Sequence, residues 1–97
     1  MDFRELNYVL AIEKYQNITK AADSLYVSQP TLSKFLMNLE NTLGQKLFRK
    51  LGNKYILTYV GEQYVKTAKE ILLLKSNLDI QLADILKRDV GVLNVAF

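Results

Sequence analysis

The stretch from Thr19 to Leu43, TKAADSLYVSQPTLSKFLMNLENTL, constrains the fold more than any other part of this chain. It holds a short helical segment, a break of about three residues and a longer helical segment. Thr19 can offer its hydroxyl to one of the unpaired backbone N–H groups at a helix start, and Ala21, Ala22 and Leu25 then form a compact apolar face. Small alanines let a second helix come close. Tyr26 and Val27 interrupt the periodicity, Ser28 supplies a second N-cap, and Pro30 falls in the first turn of the longer segment, where its missing N–H is not needed. Leu32, Leu36, Leu39 and Leu43 recur at steps of four, three and four, so they share one buried face. The side turned away from them carries Pro30, Lys34, Asn38 and Asn41, flanked by Thr31 and Ser33. An ordinary solvated face of this length would carry several Glu and Lys. Hydroxyls, amides and one cation instead suit hydrogen bonds to phosphates and base edges. The stretch reads as a helix-turn-helix.

The flanking sequence completes a small domain. A first helix is expected from Asp2 to Tyr15, with Phe3, Leu6, Val9, Leu10 and Ile12 facing inward and Asp2 at its start. Gly44 ends the third helix. The run Lys46 to Leu57, with Gly52-Asn53 at its middle, reads as a two-stranded hairpin whose base is anchored by Leu47, Phe48, Ile56 and Leu57. Thr58 then caps a long helix that can continue to Lys87, about 30 residues and roughly 45 Å. Within it Ile71, Leu74, Leu78, Leu82 and Ile85 form a stripe at steps of three and four. A three-helix core cannot cover a helix of that length, so its far half is expected to pack on the same helix of a second chain, with Lys75, Asp79 and Asp84 near the edges. From Val90 the text changes to VGVLNVAF, which reads as a strand. One strand without a partner is not stable. It is therefore expected to open a further domain of a longer protein.

The expected fold class is mainly α. A winged helix-turn-helix of three helices and a two-stranded β wing occupies residues 1–58, a dimerisation helix residues 59–88, and the first strand of a second domain residues 89–97. The chain contains no cysteine and no histidine, which removes disulfides, thiol and imidazole catalysis, and zinc sites built on those residues. With no convergent carboxylate pair either, no nucleophile or general base presents itself, and an enzyme is not expected. No apolar run is long enough to span a bilayer and no signal segment precedes Val9, so a cytosolic protein is the expectation. The net charge is +3, and its placement matters more than its size. Residues 1–61 hold eight basic and five acidic side chains, whereas residues 62–97 hold five of each. Lys46, Arg49, Lys50 and Lys54 lie in a stretch with no acid between Glu40 and Glu62. Such a cluster attracts a phosphate backbone.

Ala21-Ala22, Leu25, the run VSQPTLSKFLMNLE from Val27 to Glu40, Leu43-Gly44, Leu47-Phe48, Leu57-Thr58 and Gly61 succeed one another at the spacing of a known family. In order and register, from Phe3 to about Gly61, the chain resembles the LysR-type bacterial transcriptional regulators. The resemblance implies a winged helix-turn-helix that binds operator DNA, a linker helix that dimerises in antiparallel fashion, and a C-terminal effector-binding domain served by a small-molecule co-inducer. No cofactor is expected in this stretch itself. The chain departs from the family pattern at Lys34 and Lys50, where arginine is usual, at Phe35, where a polar residue is common, and at Val60, usually alanine. A lysine holds a phosphate as a point charge but cannot make the planar two-pronged contact of arginine with guanine.

The DNA-facing set expected from the sequence is Thr19, Ser28, Gln29, Pro30, Thr31, Ser33, Lys34 and Asn38 on the helices, with Lys50, Asn53 and Lys54 on the wing. Gln29 can read adenine or hold phosphate. Thr19 would set a helix N-terminus against a phosphate. Phe35 is assigned to the core edge and Met37 to no role. The expected partners are double-stranded DNA and a second copy of the chain, joined through Ile71, Leu74, Leu78, Leu82 and Ile85. A dimerising interaction module that has lost DNA binding is the alternative reading.

Overall fold

The computed structural model describes residues 2–88. The strand expected over residues 89–97 lies outside the described residues. Four helices and one hairpin occur in the order α1 (Phe3–Tyr15), α2 (Ile18–Leu25), α3 (Gln29–Leu43), β1 (Phe48–Leu51), β2 (Lys54–Leu57) and α4 (Tyr59–Arg88). The fold is a winged helix-turn-helix extended by a long helix.

Local hydrogen bonds explain where each helix begins and stops. Asp2 Oδ1 accepts the Glu5 N–H at 2.8 Å and starts α1, which ends where Gln16 turns left-handed at φ 53°. The start of α2 differs from expectation. Asn17, not Thr19, is the cap, its Oδ1 accepting the Lys20 N–H at 2.9 Å, while Thr19 sits exposed in the first turn. The helix starts early because Ile18 is drawn into the core beside Ala21 and Ala22. Tyr26, at φ 58°, closes α2. Ser28 Oγ accepts the Thr31 N–H at 3.2 Å and donates to Thr31 Oγ1 at 2.8 Å, with Pro30 in the first turn of α3 as expected. Gly44 ends α3 at φ 72°, a backbone conformation that favours glycine.

The strands pair antiparallel in the register Phe48↔Leu57 to Leu51↔Lys54, turning at Gly52-Asn53. Thr58 Oγ1 accepts the Gly61 N–H at 3.0 Å and caps α4. Gly61 is buried so closely that a β-carbon there would overlap the Leu47 carbonyl oxygen.

The core gathers Leu6, Val9 and Ile12 of α1, Ile18, Ala21 and Ala22 of α2, Leu32, Leu36 and Leu39 of α3, Leu47 and Phe48, and Val65 and Ala68 of α4. Two residues expected inside are outside. Phe3 lies in the first turn of α1, where its exposed ring meets the Lys75 ammonium 5.4 Å from its centroid. Leu43 is the last residue of α3, and its place in the buried stripe passes to Glu40. Phe35 packs at the core edge as expected, edge-on to Tyr8 with centroids 4.9 Å apart. Two polar ties bind α1 to α4: Tyr64 donates to Glu5 Oε1 at 3.1 Å, and Lys69 pairs with Glu13 at 3.0 Å. Burial, then the bond to Glu5, push the Tyr64 hydroxyl well above the usual tyrosine range.

Candidate nucleic-acid interface

Two helix N-termini and the wing meet at one place. The wing is drawn there by the Tyr55 N–H, which donates to the Gln16 carbonyl at 3.0 Å, and by Tyr55 packing edge-on to Phe48. A hollow of about 240 Å³ results, lined by Asn17, Ile18 and Thr19 from the start of α2, Gln29 from the start of α3, and Lys50, Asn53 and Tyr55 from the wing. Four residues singled out in the sequence, Thr19, Gln29, Lys50 and Asn53, are thus brought together from three separate elements. Lys50 lies directly across the hairpin from Tyr55, its ammonium 5.7 Å from the ring centroid. That contact aims the cation without consuming its charge. The first N–H groups of α2 and α3 that no cap satisfies add partial positive charge at the same rim.

A second hollow, of about 500 Å³, runs between α3 and β1. Ser33 and Met37 form one wall, and Lys46, Arg49 and Lys50 stand on the other. Glu40 borders the same hollow, its carboxylate 3.8 Å from the Lys46 ammonium, and the remaining positive charge of Arg49 and Lys50 suits a phosphate strand lying between helix and wing. Met37, given no role from the sequence, belongs to this wall, and its spacing of four from Ser33 was the available signal. Pro30, Thr31 and Lys34 are exposed on the first turns of α3, and Ser28 is exposed at the cap it forms. Lys54 is exposed at the start of β2. Asn38 is exposed one turn beyond Lys34 on α3. It lies about 140° round α3 from Ser33, in a separate hollow with Arg4, Glu5, Phe35 and Tyr64.

Sequence reasoning passed over Asn17 and Glu40. Asn17 was legible as a cap, since Asn is favoured there as much as Thr. Glu40 had no local signal. Its carboxylate is buried, Oε2 accepting the Leu47 N–H at 2.6 Å and the Phe48 N–H at 3.2 Å. It ties the end of α3 to the start of the wing.

The sequence profile of the bacterial regulatory helix-turn-helix proteins of the lysR family matches residues 3–62. This chain belongs to that family. Among LysR-family relatives, the HTH-type transcriptional regulator BsdA of Bacillus subtilis is 40% identical over 96 residues, covering 98% of this chain and 33% of the relative. The DNA-binding transcriptional dual regulator OxyR of Escherichia coli is 38% identical over 72 residues, 74% of this chain and 24% of that protein. The chain therefore spans about a third or less of the length of these relatives. Solved structures of LysR-type proteins superpose over most of it. The CbnR DBD in its DNA complex has a TM-score of 0.77 at 31% identity, covering 87% of this chain and 97% of that one. The BenM DBD with benA site 1 DNA has a TM-score of 0.75 at 35% identity, covering 95% and 99%.

Beyond the LysR-family domain, α4 leaves its apolar stripe uncovered. Leu74, Leu78, Leu82 and Ile85 are 69%, 52%, 48% and 47% exposed, and Ile71 is half-buried. Leu73 and Ile80, on the opposite side of α4, are exposed as well. Among the described residues, no helix is long and apolar enough to cross a membrane.

Proposed function

We propose that this chain is the operator-binding and dimerising portion of a LysR-type transcription regulator acting in the bacterial cytoplasm. One observation carries the reading: Thr19, Gln29, Lys50 and Asn53, distant in sequence, line a single hollow where two helix N-termini face the wing. In this reading α3 enters the major groove. Gln29 and Ser33 reach base edges, Thr19, Lys34 and Lys54 hold phosphates, and Lys50 and Asn53 lay the wing along the neighbouring backbone. That the similar CbnR and BenM domains were solved in complex with DNA supports double-stranded DNA as the partner. Ser28, Pro30 and Thr31 act chiefly by shaping the start of α3, since the Ser28 and Thr31 hydroxyls bond each other.

Two copies are joined through Ile71, Leu74, Leu78, Leu82 and Ile85, which removes a row of exposed apolar side chains of α4 from water. In the full-length regulator an effector-binding domain comes after residue 88 and takes a small-molecule co-inducer.

Selection of duplexes from a random pool, with fluorescence anisotropy then measured across a salt series, tests the reading. The expected result is a palindromic site bound on the order of a thousandfold more tightly than random duplex, with affinity falling steeply as salt rises. Equal, salt-insensitive binding to all duplexes would leave only a protein-interaction module.

A further inference from the structure

The three residues leading into the wing are gripped from both sides. From α3, the Glu40 carboxylate accepts the Leu47 and Phe48 N–H groups, with the Lys46 ammonium 3.8 Å from its second oxygen. From the start of α4, Thr58 donates its hydroxyl to the Lys46 carbonyl at 2.7 Å and its backbone N–H to the Leu47 carbonyl at 3.0 Å. A carboxylate this buried is tolerated only because charge-assisted hydrogen bonds satisfy it. The main packing of α4 is on α1 and β2. Residues 46–48 add to that packing a hydrogen-bonded link that runs directly from the end of α3 to the start of α4.

We infer that Glu40 and Thr58 are positioning residues that set the angle between α3 and α4, and so the half-site spacing that a dimer accepts. The inference rests on the DNA-binding and dimer reading proposed above. Its leverage comes from the place of Thr58 between the two parts. A change of angle there turns the whole winged unit, α3 included, against the paired α4 helices, and so changes both the separation and the orientation of the two recognition helices. Neither residue need touch DNA for the spacing to change.

The test uses the 97-residue chain and palindromic duplexes built from the selected half-site, with the two halves separated in single base-pair increments. The wild-type chain is expected to bind best at one spacing. In Glu40→Ala and Thr58→Val the preference for that spacing over neighbouring ones should fall about tenfold, while binding to an isolated half-site is kept. Glu40→Gln, whose amide oxygen can replace Oε2, and Thr58→Ser should restore the wild-type profile. Circular dichroism establishes folding, and if Glu40→Ala does not fold, Thr58→Val decides. An unchanged spacing profile in a folded variant, an equal loss at every spacing, or a broad profile that neither conservative variant restores overturns the inference. A wild-type chain that binds no duplex overturns the functional reading itself, and this inference with it.

Discussion

Replacing Gly61 by alanine reverses an ordinary rule. Alanine is favoured over glycine by up to about 1 kcal/mol in a helix, less in a first turn such as that holding Gly61, so Gly61→Ala would modestly stabilise α4 if the site were open. It is closed: the added β-carbon would overlap the Leu47 carbonyl oxygen and lie 3.0 Å from both the Leu47 carbonyl carbon and Leu57 Cδ2. The carbonyl cannot swing aside, because it already accepts the Thr58 N–H at 3.0 Å and its neighbour's N–H is held by Glu40. Overpacking of this kind costs about 1–3 kcal/mol where side chains can yield, and here the obstacle is backbone, so the upper end applies. Set against the propensity gain, the net loss is about 2 kcal/mol, which lowers the melting temperature of a domain this small by about 8–16 °C. Thermal unfolding monitored by far-ultraviolet circular dichroism, at one fixed chain concentration, measures it. Ser76→Ala, at an exposed position on the same helix, serves as control and should change little. A Gly61→Ala chain as stable as wild type would mean that α4 does not press on Leu47, and the grip at residues 46–48 would lose its main support.

Lys50→Ala should weaken binding to all duplexes and reduce the salt slope by about one unit, whereas Gln29→Ala should change the preference among sites; anisotropy titrations at several salt concentrations distinguish the two, and equal loss at every sequence for Gln29→Ala would reject base reading. Leu78→Asp places a charge in the α4 stripe and should lower the mass found by light scattering from dimer to monomer; a persistent dimer would place the contact on another surface. The Tyr64 hydroxyl is held protonated in the folded chain above its ordinary range, so its contribution to stability is complete below about pH 10, the unfolded tyrosine value, and fades as pH rises beyond it. Urea unfolding of wild type against Tyr64→Phe should therefore show a stability gap that narrows above that pH; a gap unchanged to the alkaline limit would show that burial and the Glu5 bond do not hold the Tyr64 proton.

Much of the interface was legible in the chain because its makers are local. The Ser28 cap, the place of Pro30 and the Gly44 stop are set by neighbours three or four residues apart, and they placed α3 correctly to within a residue. The hairpin was equally plain, since Gly52-Asn53 stands between two short runs and Gly52 adopts φ 61°. Thr19 shows where such reading stops. Both Asn17 and Thr19 can cap a helix, and what chooses between them is whether Ile18 is buried, a matter for the rest of the core. Asn38 is a second such case. Its position on α3 was read correctly as polar and outward, yet that it shares a hollow with Arg4 of α1 and Tyr64 of α4 depends on where those helices lie beside α3.

The sequence by itself determined four helices, a hairpin, a polar recognition face and an uncovered apolar stripe on α4, because hydrogen-bonded caps and side-chain periodicity act within one or two turns of chain. Only the tertiary structure decided that Glu40 turns inward, that Gly61 must lack a side chain, and that Thr19, Gln29, Lys50 and Asn53 share one hollow. Those facts depend on pairs of groups from seven to more than thirty residues apart in the sequence. Their meeting is settled by how the helices pack against one another, and no local pattern records that.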